Sequence, residues 1–389
     1  MVAYFSDVSD TEFKKILKGI CYMKKYSTIV LSLVLVFGLA ACGNQSSNAN
    51  NTEQQSGSIE QTSEISSGDI RSDDSSSSTD VDSVSDTDTD NGTSTDTAVS
   101  SDIDVPVVYM TTDISPEGLM AVYEALEWSP EGKVAVKLST GEPPASNYLR
   151  PELIADVVTA VSGTIVECNT AYGGSRAETA MHYQVAEDHG FTAIADFQIL
   201  DENGSMSLPV TGGTHLTENF VGAAFADYDS YLILSHFKGH AMAGYGGAIK
   251  NISIGIGSSE GKSWIHTGGT SKRGISGDQD AFLESMGEAG KSVVDALDGQ
   301  IVYINVMNRL SVDCDCSGNP AEPDMHDIGI LASADPVALD QACIDLVYAA
   351  QDSGSLVKRI ESRNGLHTLE YAEQIGLGSR TYELVKIND

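Results

Sequence analysis

KVAVKLSTGEPPASNYLRPELIADVVTAVSGTIVEC, residues 133–168, is the stretch that decides the fold. Lys133 to Leu138 is a short run dominated by β-branched and small apolar residues, as a buried strand requires. Arg150 to Val161 spaces its apolar residues at helical period, with Pro151 at the first helical position. Thr164 to Cys168 is again strand-like. Strand, helix and strand in this order predict parallel strands joined by a crossover.

The alternation extends in both directions. Val105 to Met110 reads as a strand, and Ser115-Pro116 as an N-cap with Pro at N1, opening a helix to about Trp128. Ser175 to His189 reads as a helix closed by Gly190. The pattern loosens after Asp196, then Tyr231 to Ser235 forms a buried-strand run, followed by glycine-rich residues 239–277. A helix from about Asp280 to Leu297 and strands at Ile301 to Val306 and Ile328 to Leu331 come next. Asp335-Pro336 caps a helix to about Ala350, and a helix near Thr368 to Ile375 precedes a terminal strand, Tyr382 to Ile387. The expected class is α/β, a largely parallel sheet flanked by helices, in one domain over residues 105–389.

The segment before this domain has a different character. Met23-Lys24-Lys25 and the apolar run Ile29 to Ala41 make the basic and hydrophobic parts of a leader too short to span a bilayer. Residues 1–22 read as lying upstream of the true start at Met23. Leu39-Ala40-Ala41-Cys42 resembles the lipobox of bacterial lipoproteins, in which the cysteine is diacylated and becomes the mature N-terminus. Two acyl chains give stable membrane attachment, so the expected location is the extracytoplasmic face of the cell membrane. Residues 43–104 carry 14 acids against one base, Arg71, with almost no large apolar side chain. Such a segment reads as a solvated tether, and the Asp86 to Asp90 run lacks the spacing of a calcium loop. The net charge of -34 excludes a large phosphate-tracking surface, so nucleic acid is not an expected partner.

Two clusters carry candidate chemistry. Ser235-His236-Phe237-Lys238-Gly239-His240, with Gly244 to Asn251 after it, begins where a strand ends, the place where open α/β sheets bind ligands. His236 and His240 would share a face if this segment were helical. Lys238, Lys250 and Asn251 are candidate contacts for an unknown small-molecule ligand. The second cluster is Asp313-Cys314-Asp315-Cys316, whose sulfurs fall on one side of extended backbone. His236, His240, Cys314 and Cys316 together supply a full ligand set for zinc or iron, provided the clusters meet. Disulfides are the competing reading, with Cys168 and Cys343 as open pairing partners. His266 is a weaker candidate, and Asp335 reads as a helix cap. The glycine-rich run lacks a Walker terminus, so no nucleotide cofactor is expected.

His236-Phe-Lys-Gly-His240, Gly246-Gly-Ala-Ile-Lys-Asn251, Cys314-Asp-Cys316 and Asp327-Ile-Gly-Ile-Leu-Ala-Ser-Ala-Asp335-Pro-Val-Ala-Leu-Asp340, in this order, resemble the DUF362 family. That resemblance spans roughly residues 105–389 and implies an iron-sulfur-centre protein. Many members carry a Cys-x-x-Cys-x-x-Cys insert after the Lys-Asn segment, whereas residues 257–277 here contain no Cys. A [4Fe-4S] cubane normally takes four Cys ligands, so a mononuclear ion is the better expectation than an Fe-S cluster. The functional expectation is a membrane-tethered metal- or Fe-S-binding protein, possessing redox or metal-dependent activity on an unidentified substrate. The alternative is a non-catalytic ligand-binding or adhesive surface lipoprotein.

Overall fold

Residues 105–387 are described by a computed structural model of the protein. The segments read above as leader, lipobox with Cys42 and acidic tether fall outside the described residues. Twelve strands are defined: β1 (Val107–Thr111), β2 (Val134–Lys137), β3 (Thr164–Glu167), β4 (Phe197–Ile199), β5 (Ser205–Pro209), β6 (Glu218–Gly222), β7 (Ser230–His236), β8 (Lys238–His240), β9 (Gly244–Gly246), β10 (Ile301–Met307), β11 (Gly329–Ser333) and β12 (Glu383–Lys386). The longer helices are α1 (Pro116–Ala125), α2 (Pro151–Ala160), α3 (Thr179–Asp188), α4 (Ser259–His266), α5 (Gln279–Leu297), α6 (Pro336–Ala349), α7 (Gly354–Glu361) and α8 (His367–Gln374).

Eight strands form one sheet in the order β12-β1-β11-β10-β7-β2-β3-β4. The run β10-β7-β2-β3-β4 is parallel throughout, which bears out the reading of residues 133–168. β1 is not a neighbour of β2 in this order. It pairs antiparallel with β11 and parallel with the terminal strand β12, so the sheet is mixed on that side.

Alternate residues of the central strands feed two cores, as the strand period of two requires. Val134, Val136, Leu232, Leu234, Val302 and Ile304 pack toward Leu119 and Val122 of α1 and Ile154 and Val157 of α2. Ala135, Tyr231, Ile233 and Tyr303 face the other layer, with Val293 of α5 and Leu339 and Cys343 of α6. Because both faces are covered, these strands are continuously apolar rather than alternating. Truncating a fully buried Leu232 to Ala would cost roughly 2–5 kcal/mol.

The caps form as read: Ser115 accepts from the Gly118 N–H, and Asp335 from those of Val337 and Ala338. Helix α3 starts at Thr179 rather than Ser175. The reason is local, because the Ser175 N–H and the Arg176 side chain are drawn to the Glu142 carboxylate. The glycine-rich stretch is also more ordered than its composition suggests. It holds the β8-β9 hairpin, a helical turn (Ala248–Lys250) running into a π-helical turn (Asn251–Gly255), and α4. Among the described residues no helix is long and apolar enough to cross a membrane.

Candidate functional site

Strands β2, β3 and β7 all end on one cleft. Lys137 and Ser139 enter it from β2, Glu167 and Thr170 from β3, and Ser235 and His236 from β7, around a cavity of about 310 Å³. The loop after β10 closes one wall with Cys314, Asp315 and Cys316. The cleft thus occupies the carboxyl ends of parallel strands, where β7 was expected to deliver its ligand groups.

The imidazole and thiol stretches meet because β8 lies against the loop that follows β10. The Gly239 N–H donates to the Ser311 carbonyl at 2.8 Å, and a Cβ at Gly239 would overlap the Val312 backbone. This approach puts candidate donor atoms of His240, Cys314 and Cys316 within 4.8 Å of one another. The two sulfurs are bonded to each other as a disulfide, so the pair is in its oxidised form. Cys168 and Cys343, the other pairing partners considered, are free and buried.

His236 does not complete the set. It ends β7, while His240 ends β8, so the two do not share a helical face. The His236 ring faces Asp315 Oδ1 at 2.8 Å through Nδ1 and the Asn308 carbonyl at 2.7 Å through Nε2. Both ring nitrogens thus face polar groups that lie outside the three-donor group. The expected four-residue ligand set is therefore a group of three, with His236 anchoring Asp315 beside it. His240 accepts the Ala243 N–H on Nδ1 at 2.9 Å, and burial together with Lys250 holds its pKa far below that of an ordinary histidine. The neutral ring consequently carries its hydrogen on Nε2.

The three ligand-contact candidates differ in what they are free to do. Lys238 Nζ donates to the His236 carbonyl at 2.6 Å and pairs with Asp315 Oδ2 at 2.9 Å. Asn251 is also committed: its Nδ2 donates to Leu234 O and Ser235 Oγ, both at 3.1 Å, and its Oδ1 accepts from Lys137 Nζ at 3.0 Å. It pins the π-helical turn to β2 and β7. Lys250 lines the cleft without a hydrogen-bond or ion-pair partner among the described residues. Burial and the neighbouring Lys238 push its amine down to about 7.

Sequence reasoning passed over Lys137, Glu167, Arg176 and Lys262, all in the cleft wall. The signal was present for two of them: Lys137 and Glu167 are the charged residues closing otherwise apolar strands β2 and β3. Lys137 is 1% exposed, and burial lowers its amine to about 8 despite the opposing pull of Glu167. Lys262 Nζ donates to the Gly257 carbonyl at 2.5 Å. His266 reaches the cleft but stacks on Phe282 and bonds the Lys262 carbonyl through Nδ1, outside the three-donor group.

Glu167 organises the opposite wall. It pairs with Arg176 Nη1 at 3.1 Å and His182 Nε2 at 2.8 Å, and accepts the Thr140 hydroxyl at 2.5 Å. Burial alone would raise its pKa, but His182 and Arg176 hold the carboxyl well below the usual range. Arg176 also pairs with Glu142 at 3.1 Å, so its charge is spent within this wall.

The family model described as "Domain of unknown function (DUF362)" matches residues 134–345, a span running from the first residue of β2 into α6. No curated protein matches the sequence. Among solved structures, the lactate racemase apoprotein from Thermoanaerobacterium thermosaccharolyticum is similar with a TM-score of 0.38 and 15% identity, over 61% of this chain and 56% of that one. A protein from Thermotoga maritima is similar with a TM-score of 0.33 and 12% identity, over 67% of this chain and 58% of that one. The match thus spans a little over half the length of each of these two chains.

Proposed function

This chain belongs to the DUF362 family, and from that premise we propose that its cleft is a thiol-dependent metal centre. With Cys314 and Cys316 reduced, their thiolates and the His240 imidazole hold one zinc or iron ion. The observation that carries this reading is the convergence of the three donors within 4.8 Å on the wall of a ligand-sized cavity. Three protein ligands leave a position open, the arrangement of catalytic rather than structural zinc. A bound ion would supply Lewis acidity, or electron transfer if it is iron, toward whatever occupies the cleft.

The surroundings favour thiolates. A nearby ammonium lowers the pKa of a thiol, and Lys250, which no carboxylate matches among the described residues, shares this cleft with Cys314 and Cys316. A mononuclear ion suits the donor count better than a cubane, because neither Cys168 nor Cys343 joins the group. Opening the disulfide takes two electrons and two protons from an external dithiol, which leaves as its own disulfide. Loading then displaces the protons of the two sulfurs; neutral His240 releases none and binds once its hydrogen has shifted to Nδ1, which frees the Nε2 lone pair. The oxidised pair is the unloaded form.

The same proposal puts the protein at the extracytoplasmic membrane face, held by a diacylated Cys42. Its support is the leader ending in Leu39-Ala40-Ala41-Cys42. Fatty-acid labelling that is lost in Cys42→Ala tests it; labelling unchanged by that substitution refutes it.

Metal analysis of the full-length chain, reduced without oxygen and exposed to zinc or ferrous iron, tests the centre. About one ion per chain is expected, falling to near zero in the oxidised protein and in Cys314→Ser/Cys316→Ser. Equal metal content in all three would exclude these donors.

A further inference from the structure

We infer that the cleft binds a small dianion, held by Lys250 with Lys137 and Lys262 alongside it. The charge arrangement carries the inference. The chain as a whole bears a net charge of -34, yet this cavity is lined by five cationic side chains and only two carboxylates. Both carboxylates are already matched, Glu167 by Arg176 and Asp315 by Lys238. Lys137, Lys250 and Lys262 remain. Among the described residues none of the three has a carboxylate within ion-pair distance. The Lys137 and Lys262 amines have only amide and carbonyl oxygens, and among the described residues the Lys250 amine has no hydrogen-bond or ion-pair partner.

Lys137 and Lys262 are buried and Lys250 is half-buried; ammonium groups so withdrawn from water and left without counter-charge are unfavourable, and they persist where something else offsets them. The backbone is shaped to accept them. A Cβ on Gly255 would meet Lys137 Nζ at 2.9 Å, and one on Gly246 would meet Lys250 Cδ at 3.1 Å. A monoanion would leave most of the excess positive charge standing, whereas a dianion removes the larger part. A cavity of about 310 Å³ admits a small molecule and excludes a polymer. Burial, with like charge nearby, lowers the amines of Lys250 and Lys137, and a bound dianion would oppose that lowering. Dicarboxylates and phosphoryl compounds share the required chemistry. The inference rests on the metal-centre reading only for placing the anion beside the sulfurs; the charge count uses none of the three metal donors.

Titration calorimetry and thermal unfolding of the full-length chain, at constant ionic strength, test this with succinate, inorganic phosphate and neutral succinamide. Succinate or phosphate should bind with Kd of about 1 mM or tighter and raise the melting temperature, while succinamide does neither. Binding by succinate alone identifies a carboxylate site, and by phosphate alone a phosphoryl site. Lys250→Met should weaken binding at least about tenfold, and Lys250→Arg less than about threefold. Without ligand, Lys250→Met should melt no lower than wild type, since it deletes an unpartnered ammonium; a purely structural lysine would show the reverse. Cys314→Ser/Cys316→Ser should retain anion binding even if no metal centre exists. Equal binding of succinamide, unchanged affinity in Lys250→Met, or binding found only in metal-loaded protein would each overturn the inference.

Discussion

The backbone N–H of Gly239 donates to the carbonyl of Ser311 at 2.8 Å, joining two stretches that lie 72 residues apart. This contact, with the Lys238–Asp315 ion pair, lays the β8 strand that ends in His240 against the loop bearing Cys314 and Cys316. The bare α-carbon is necessary, because the Val312 backbone fills the space of a side chain. Local packing and the candidate site are thus one feature.

Gly239→Ala should therefore separate His240 from the sulfurs. The added methyl collides with backbone, which cannot swing aside, so a loss of roughly 2–4 kcal/mol is expected on denaturant unfolding. In the reduced protein, metal content should fall while His240 itself is untouched. A variant of wild-type stability with a full metal complement would show that the contact does not set the geometry.

Asp340 of α6 should give the protein a component of stability that declines as pH rises. Its carboxylate, 0% exposed, accepts the N–H groups of Ala248 at 2.7 Å and Ile249 at 3.0 Å and so fixes the turn that carries Lys250. Burial outweighs these bonds and raises the carboxyl from 3.8 to about 6. A raised acid contributes fully below its unfolded value and loses that contribution as pH climbs through the folded one. The full change is roughly 3 kcal/mol, of which about 2 kcal/mol falls between about pH 4 and 6. Unfolding free energies of wild type and Asp340→Asn, compared at both pH values, should converge as pH increases; a constant gap would contradict the assignment.

Glu167 has the opposite sign. Its carboxyl is held low by His182 and Arg176, so its contribution is present above the ordinary carboxylate range and is lost on acidification. Glu167→Gln should cost roughly 3–5 kcal/mol near neutrality, because Arg176 and His182 lose a buried partner. That penalty should shrink in acid. A pH-independent penalty would indicate lost packing rather than lost charge pairing.

Reducing the Cys314–Cys316 bond should change stability little. The residues are separated by only two positions in sequence, and closing so short a loop removes little unfolded-state entropy, about 1–2 kcal/mol in the chain-entropy model. Calorimetry with and without dithiothreitol would show a small shift in melting temperature. A large one would make the bond a structural staple and count against reversible opening for metal.

Much of the scaffold was legible because periodicity is a local property. Val134 to Lys137 and Tyr231 to Leu234 are strands because short β-branched and aliphatic runs can be satisfied by a sheet covered on both faces. Ser115 and Asp335 cap helices because their side chains reach amides two or three residues away. The pairing of β1 with β11 and β12 was not legible, since strand order depends on which edge a distant segment reaches first. His240, Cys314 and Cys316 were identifiable as candidate donors by residue type. His236, of the same type and four positions away, has both ring nitrogens taken up by Asn308 and Asp315.

From its sequence alone, this protein's α/β class, its main helix caps and the residue types capable of metal or anion chemistry could be determined. Tertiary structure alone decided that Lys238 is neutralised by Asp315 while Lys250 is left unpaired. It also decided that Cys314 is joined to Cys316 rather than to Cys168 or Cys343. The physical reason is range: hydrogen-bond and charge partners are selected by distances of a few ångströms between groups dozens of residues apart, and no local pattern encodes those distances.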